Sequence, residues 1–189
     1  MARDFKDTEV RIQNCRLSYA NIWNPRIEED GSKGKYSVSL IIDKKDEVTL
    51  KRIKLAIEAA KKQGKSKLAN AQGYIPKDLK TPLRDADEEG RIDEAYVGMM
   101  FLNATSKSKP KIVDRHLERI TDEDEVYSGC YANVIVNFYA YKVNGNKGIA
   151  AGLGNIQKVK DGERLGGGSN PEADFDELED EEYEDAMLA

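Results

Sequence analysis

Apolar and polar residues alternate over several stretches of the chain and recur every three to four residues over one other. Over 10–19 the alternation slips between Ile12 and Cys15, which predicts a strand carrying a β-bulge. Over 35–42, Tyr36, Val38, Leu40 and Ile42 alternate with Lys35, Ser37 and Ser39, the pattern of a one-sided strand. Over 47–63, Leu50, Ile53, Ile57 and Ala60 share one face of a helix, with Asp46 placed to cap its start and Gly64 just past its end. The stretch 65–90 is broken by Gly73, Pro76 and Pro82 and ends in the acidic turn Asp85-Ala86-Asp87-Glu88-Glu89, so a long surface connection is expected there. A third strand follows over 99–106. The longest covers 129–141, and Asn144-Gly145 supplies hairpin turn residues leading into a last strand over 148–159.

About five strands and one helix result, and helices do not alternate with strands as a doubly wound parallel sheet requires. The expected fold is mainly β: an OB-fold-like five-stranded antiparallel barrel with one inserted α-helix. Gly166-Gly167-Gly168-Ser169-Asn170 has the composition of a flexible linker, which divides the chain into a barrel domain at 1–165 and an acidic disordered tail at 166–189.

Charge sharpens this division. The chain of 189 residues has 30 Lys and Arg and 35 Asp and Glu, but ten of those acids lie in 171–189, which has no Lys or Arg. The rest of the chain is left with 30 basic against 25 acidic residues, a basic body tied to an acidic arm. No run of eighteen apolar residues occurs and the first residues lack a signal-peptide core, so a cytoplasmic location is expected, with no membrane partner. Cys15 and Cys130 read as reduced core thiols and His116 as a solvated loop residue; no cofactor, metal or catalytic residue is expected. The acids of the 85–89 turn read as solvated, since no partner carboxylate sits on a strand, and Gly152-Leu153-Gly154 reads as a strand bulge or close approach.

The residue pattern that carries chemistry lies in 129–141. Period two puts Cys130, Ala132, Val134, Val136, Phe138 and Ala140 on the core side and Tyr131, Asn133, Ile135, Asn137, Tyr139 and Tyr141 on the other. Such rings can stack on bases and the amides can bond base edges; alternatively, they cover neighbouring structure, since tyrosine favours strands. Phe101 and Asn103 extend the outward row if 99–106 keeps the same register, and Phe101 turns inward if it is read one step off. Lys107, Lys109, Lys111 and Arg115 follow directly and are placed to hold phosphates. Trp23, in a polar Pro-containing insertion, is either a further stacking ring or a core anchor.

Several runs resemble a known family: Thr81-Pro82-Leu83-Arg84-Asp85; Phe101-Leu102-Asn103-Ala104 with Ser106 and 110–114; Tyr127-Ser128-Gly129-Cys130-Tyr131; and Asn146-Lys147-Gly148-Ile149-Ala150-Ala151-Gly152-Leu153. They are similar to phage single-stranded DNA-binding proteins of OB fold, first catalogued as a domain of unknown function. The resemblance implies non-catalytic, largely sequence-independent binding of single-stranded DNA in phage replication or recombination, within a bacterial host; single-strand annealing on the same surface is the alternative, and self-association is left open. An extended tail reaches roughly 60–70 Å, so it can compete with DNA for the basic face. Its residues Asp180, Glu181, Glu182, Glu184, Asp185, Met187 and Leu188 are expected to recruit replication or recombination proteins.

Overall fold

The computed structural model describes residues 3–166, and the acidic tail with its expected partner-binding residues lies outside them. Five long strands build the core: β1 (Glu9–Asn21), β2 (Tyr36–Asp43), β4 (Met99–Ser106), β6 (Tyr131–Val143) and β7 (Asn146–Lys160). Two-residue strands β3 (Arg84–Asp85) and β5 (Ile112–Val113) extend its edges. Antiparallel pairing runs from β4 through β2, β1 and β6 to β7, and a short parallel pairing of Ala104 and Thr105 with Ala151 and Gly152 closes the ring. This is the mainly β, OB-like five-stranded barrel that the strand count predicts. Closure is what removes the open sheet edges.

The inward sides of all five strands supply one apolar core that includes Ile12, Leu17, Leu40, Leu102, Val134 and Phe138. The predicted bulge is present: the pairing of β1 with β6 shifts between Ile12 and Cys15. It turns Cys15 inward, where burial pushes its thiol up to about 12. The second half of β1 is thereby free to pair with β2.

Helix α1 (Glu47–Gln63) packs against β6 and β1. Its Asp46 cap accepts from the Thr49 amide at 3.2 Å, and Ile53, Ala56, Ile57 and Ala60 bury its apolar stripe. Gly64 ends it where a Cβ would stand 2.1 Å from that of Ala140, so helix and β6 approach closely because no side chain intervenes. A four-residue helix α2 (Lys65–Leu68) follows, which the sequence pattern does not reveal. The expected surface connection over 65–90 is therefore only partly that: Leu68 and Ala86 are fully buried.

A segment over 86–98 folds back across the outer side of β2 and β4. It forms a second small apolar cluster of Ile41, Ala86, Tyr96 and Phe101, with Tyr96 and Phe101 edge to face at 5.3 Å. Its acidic turn is held by Lys44, which contacts Asp85 at 2.8 Å and Asp87 at 2.6 Å, while Arg84 takes Glu89 at 2.5 Å. The Lys44 ammonium holds the Asp85 carboxyl below the usual carboxylate range; for Asp87 the Gly98 amide is the first cause and Lys44 the second. Among the described residues, no group of three or more potential metal ligands occurs, and no helix is long and apolar enough to cross a membrane.

Candidate nucleic-acid interface

The outer side of β1, β2 and β4 is built in cross-strand rows. Ser18, Ser39 and Asn103 form one row, and Asn21, Ser37 and Thr105 the next. Short polar side chains in adjacent rows leave the backbone close to the surface, so the rows make a floor. Tyr96 covers one end of it, its hydroxyl donating to Ser39 Oγ at 3.0 Å. The other end is an open groove of about 420 Å³ lined by Tyr19, Asn21, Arg26, Ser37, Arg91, Asn103 and Thr105, among others.

Tyr19 owes its position to a second irregularity in β1. Between Ser18 and Asn21 the register to β2 shifts by one residue, and Tyr19 takes φ 46°, a left-handed conformation that costs a bulky residue about 1–2 kcal/mol. Surrounding bonds hold it there: the Ala20 amide donates to Ser128 Oγ at 3.0 Å, and Asn21 Nδ2 donates both to the Tyr19 carbonyl and to Ser37 Oγ at 3.2 Å. The result is a ring that remains 65% exposed at the mouth of the groove. Arg91 lies 3.6 Å from the Tyr96 ring centroid and 5.9 Å from that of Tyr19, so a cation bridges the covered and open ends.

The connection from β1 to β2 and the lysine loop after β4 meet at Trp23. Its indole donates to the Val126 carbonyl at 2.8 Å and its ring packs partly against the core, while Lys109 Nζ stands 5.6 Å from the ring. Of the two readings of Trp23, the geometry is that of an anchor with one cation against it. Lys107, Lys109, Lys111, Arg115 and Arg26 are exposed, and among the described residues none of the five is in an ion pair.

Other predicted residues fall elsewhere. Phe101 does point outward from β4, but it is completely buried beneath Tyr96, with Arg84 at 4.8 Å and Arg91 at 5.1 Å from its ring; it is a packing residue and offers no face to a base. The β6 row lines no part of the Tyr19 groove, and most of it is engaged. Tyr131 is half-buried between Arg16 at 5.7 Å and Lys160 at 4.7 Å. Asn133 accepts from the Asn14 amide at 2.9 Å and donates to Gln157 at 3.1 Å, and Asn137 accepts from the Thr8 hydroxyl at 2.7 Å. Tyr141 lies over Gly148, where an added Cβ would come within 2.7 Å of its hydroxyl, and Tyr139 flanks Gly152. Glycine-backed rings of this kind shield a neighbouring strand. Tyr139 alone of the three is exposed, at 41%.

Sequence reasoning missed Tyr19, Arg26 and Arg91. The signal for Tyr19 was the second break of alternation in β1; nothing local marked Arg91, because the segment that carries it reaches the groove by folding back.

The sheet face also marks where the chain leaves the barrel. Residues 161–166 are strapped against it: Tyr127 donates to Asp161 at 2.9 Å, Arg16 donates to the Glu163 carbonyl at 2.7 Å, and the Leu165 amide donates to the Ser128 carbonyl at 2.9 Å. Leu165 and Gly166 then line a hollow shared with Tyr19 and Tyr96.

A family model described as Enterobacter phage Enc34, ssDNA-binding protein, matches residues 8–187. A relative called putative protein p50, from Acyrthosiphon pisum secondary endosymbiont phage 1, is 30% identical over 96% of this chain and all of its own length. Among solved structures, the single-stranded DNA-binding protein of bacteriophage Enc34 in complex with ssDNA matches at a TM-score of 0.72 and 26% identity, covering 87% of this chain and 97% of that one. The gp2.5 single-stranded DNA-binding protein of bacteriophage T7 shares the fold, with a TM-score of 0.56 at 17% identity over 90% of this chain and 98% of its own. With nearly the whole chain matched by the family model, and a barrel that carries a sheet groove edged by cations, the chain belongs to the Enc34 phage ssDNA-binding protein family.

Proposed function

We propose that this chain binds single-stranded DNA, without catalysis and largely without regard to sequence, in the groove on the β1–β2–β4 face. The observation that carries the reading is Tyr19: an exposed ring held at a strained backbone position, flanked by Arg26 and Arg91 over a floor of Ser37, Asn103 and Thr105. A base stacks on the ring, hydroxyls and amides bond the sugar and base edges, and Arg26 takes backbone phosphate. Lys107, Lys109 and Lys111, with Arg115, continue the cationic edge past Trp23. The Enc34 protein, solved with ssDNA, supports this reading. Context for it is phage DNA replication or recombination in the host cytoplasm.

The acidic tail is assigned a regulatory part. Its root lies beside Tyr19, so its carboxylates compete with DNA phosphate for the same cations, and the displaced tail recruits replication or recombination proteins. The deciding measurement is a fluorescence anisotropy titration of mixed-sequence single and double strands at two salt concentrations, with the full chain and with a chain truncated after Gly166. Tighter binding of single than of double strands, weakened by salt and strengthened by truncation, is expected. Equal affinity for both strands removes the groove assignment; unchanged or weaker affinity on truncation removes the tail's role.

A further inference from the structure

On the far side of the tail's root lies a second depression that the DNA-binding reading does not use. It is an apolar groove of about 390 Å³ between α1 and the start of β1 with the segment before it, with exposed Phe5 and Leu55 over buried Val10 and Ala56 among its walls. Leu55 is 61% exposed on a helix whose other apolar stripe is buried, and Phe5 is 36% exposed. Three cations, Lys6, Arg11 and Arg52, rim it, and Arg11 stands 5.3 Å from the Phe5 ring centroid. Of the two acids in the lining, Glu9 is taken by Arg3, leaving Asp7 against Lys6, Arg11 and Arg52, which are in no ion pair among the described residues.

We propose that this groove is the docking site of the chain's own acidic tail, residues 171–189, and that it retains the tail while DNA occupies the Tyr19 groove. Three features select this occupant. The tail intersperses ten carboxylates with Phe175, Leu178, Tyr183, Met187 and Leu188, complementary to an apolar slot with a basic rim. Its root is adjacent: Gly166 lines a hollow with Asn14 and Arg16 of β1, and Gln13 of the same strand lines the groove. The chain beyond Gly166 spans about 75 Å when extended, far more than the few residues of β1 that separate root from groove. A short tether holds the tail at an effective concentration of order millimolar, so weak contacts suffice and the chain's own tail outcompetes a neighbour's. The root thus stands between two stations, the cationic DNA groove on one side and the Phe5 slot on the other. Docking at the second does not depend on the first.

The test places a photo-crosslinking benzoylphenylalanine at position 55 of the full chain. Trypsin releases residues 165–189 as one peptide, because no Lys or Arg follows Arg164, so its capture is read by mass. We expect this peptide crosslinked to the position-55 peptide within single chains. The yield falls at least about five-fold in Arg11→Glu with Arg52→Glu, whose exposed sites leave melting unchanged, and persists or rises with saturating oligonucleotide. Crosslinks confined to other segments, crosslinks only between two chains, a yield indifferent to charge reversal, or loss of the crosslink on adding oligonucleotide each overturn the proposal. The arm without DNA stands or falls independently of whether the Tyr19 groove binds a strand.

Discussion

Two outward faces of one barrel carry rings and amides, and they differ in what lies over them. On β6 the row is regular, and its members are spent within the molecule: Tyr131 lies between Arg16 and Lys160, Asn133 and Asn137 are hydrogen-bonded, and Tyr141 roofs Gly148. On the part of the β1–β2–β4 face that Tyr96 leaves uncovered, the side chains of the floor are short, the ring of Tyr19 sits at an irregularity, and a groove opens above them. Regular alternation builds a stable sheet. A bulge that breaks it re-aims a residue towards solvent, at an energetic cost that packing elsewhere offsets.

The comparison is most directly broken at Tyr19. Tyr19→Gly removes the ring and relieves the left-handed backbone, so single-strand affinity falls by about 5- to 150-fold, the equivalent of 1–3 kcal/mol of stacking, while thermal stability holds or rises. If affinity survives, the groove is the wrong face. Next in size is the salt response. Replacing Arg26, Lys107 and Lys109 with alanine lowers the slope of log affinity against log salt by about two, as loss of three phosphate contacts to a single strand requires. A smaller and opposite signature belongs to β6: Tyr141→Ala costs about 1–2 kcal/mol in denaturant unfolding by stripping Gly148, yet changes affinity by no more than about two-fold, because no stacked base is lost. A large affinity loss there reverses the assignment of the two faces.

The smallest effect concerns the strap that sets the tail's root. Lys158 first, and Tyr127 second, hold the Asp161 carboxyl below its usual range. A lowered folded-state value means the contribution is present above the ordinary carboxylate range and is lost as pH falls through the lowered value. Asp161→Asn should therefore slightly lower the melting temperature at neutral pH, with the difference from the native chain closing as pH falls through the lowered value.

How far the sequence carried can be read off individual elements. Helix α1 was legible to its ends, because Asp46, the apolar spacing and Gly64 act within a few residues of one another. The first bulge of β1 and the alternation of β6 were legible for the same reason. Phe101 shows the limit. Its outward direction follows from period two, but its burial follows from Tyr96, brought over it by the fold-back of 86–98. The lysine loop likewise met Trp23 and not the tyrosines, since its neighbours depend on barrel closure.

The amino-acid order sufficed for the five long strands, helix α1, the basic body and the acidic arm, all consequences of contacts or charges between residues near in the chain. Which outward face stays uncovered followed from the tertiary structure, because the covering segments 86–98 and 161–166 take their paths from how they fold back across the closed barrel.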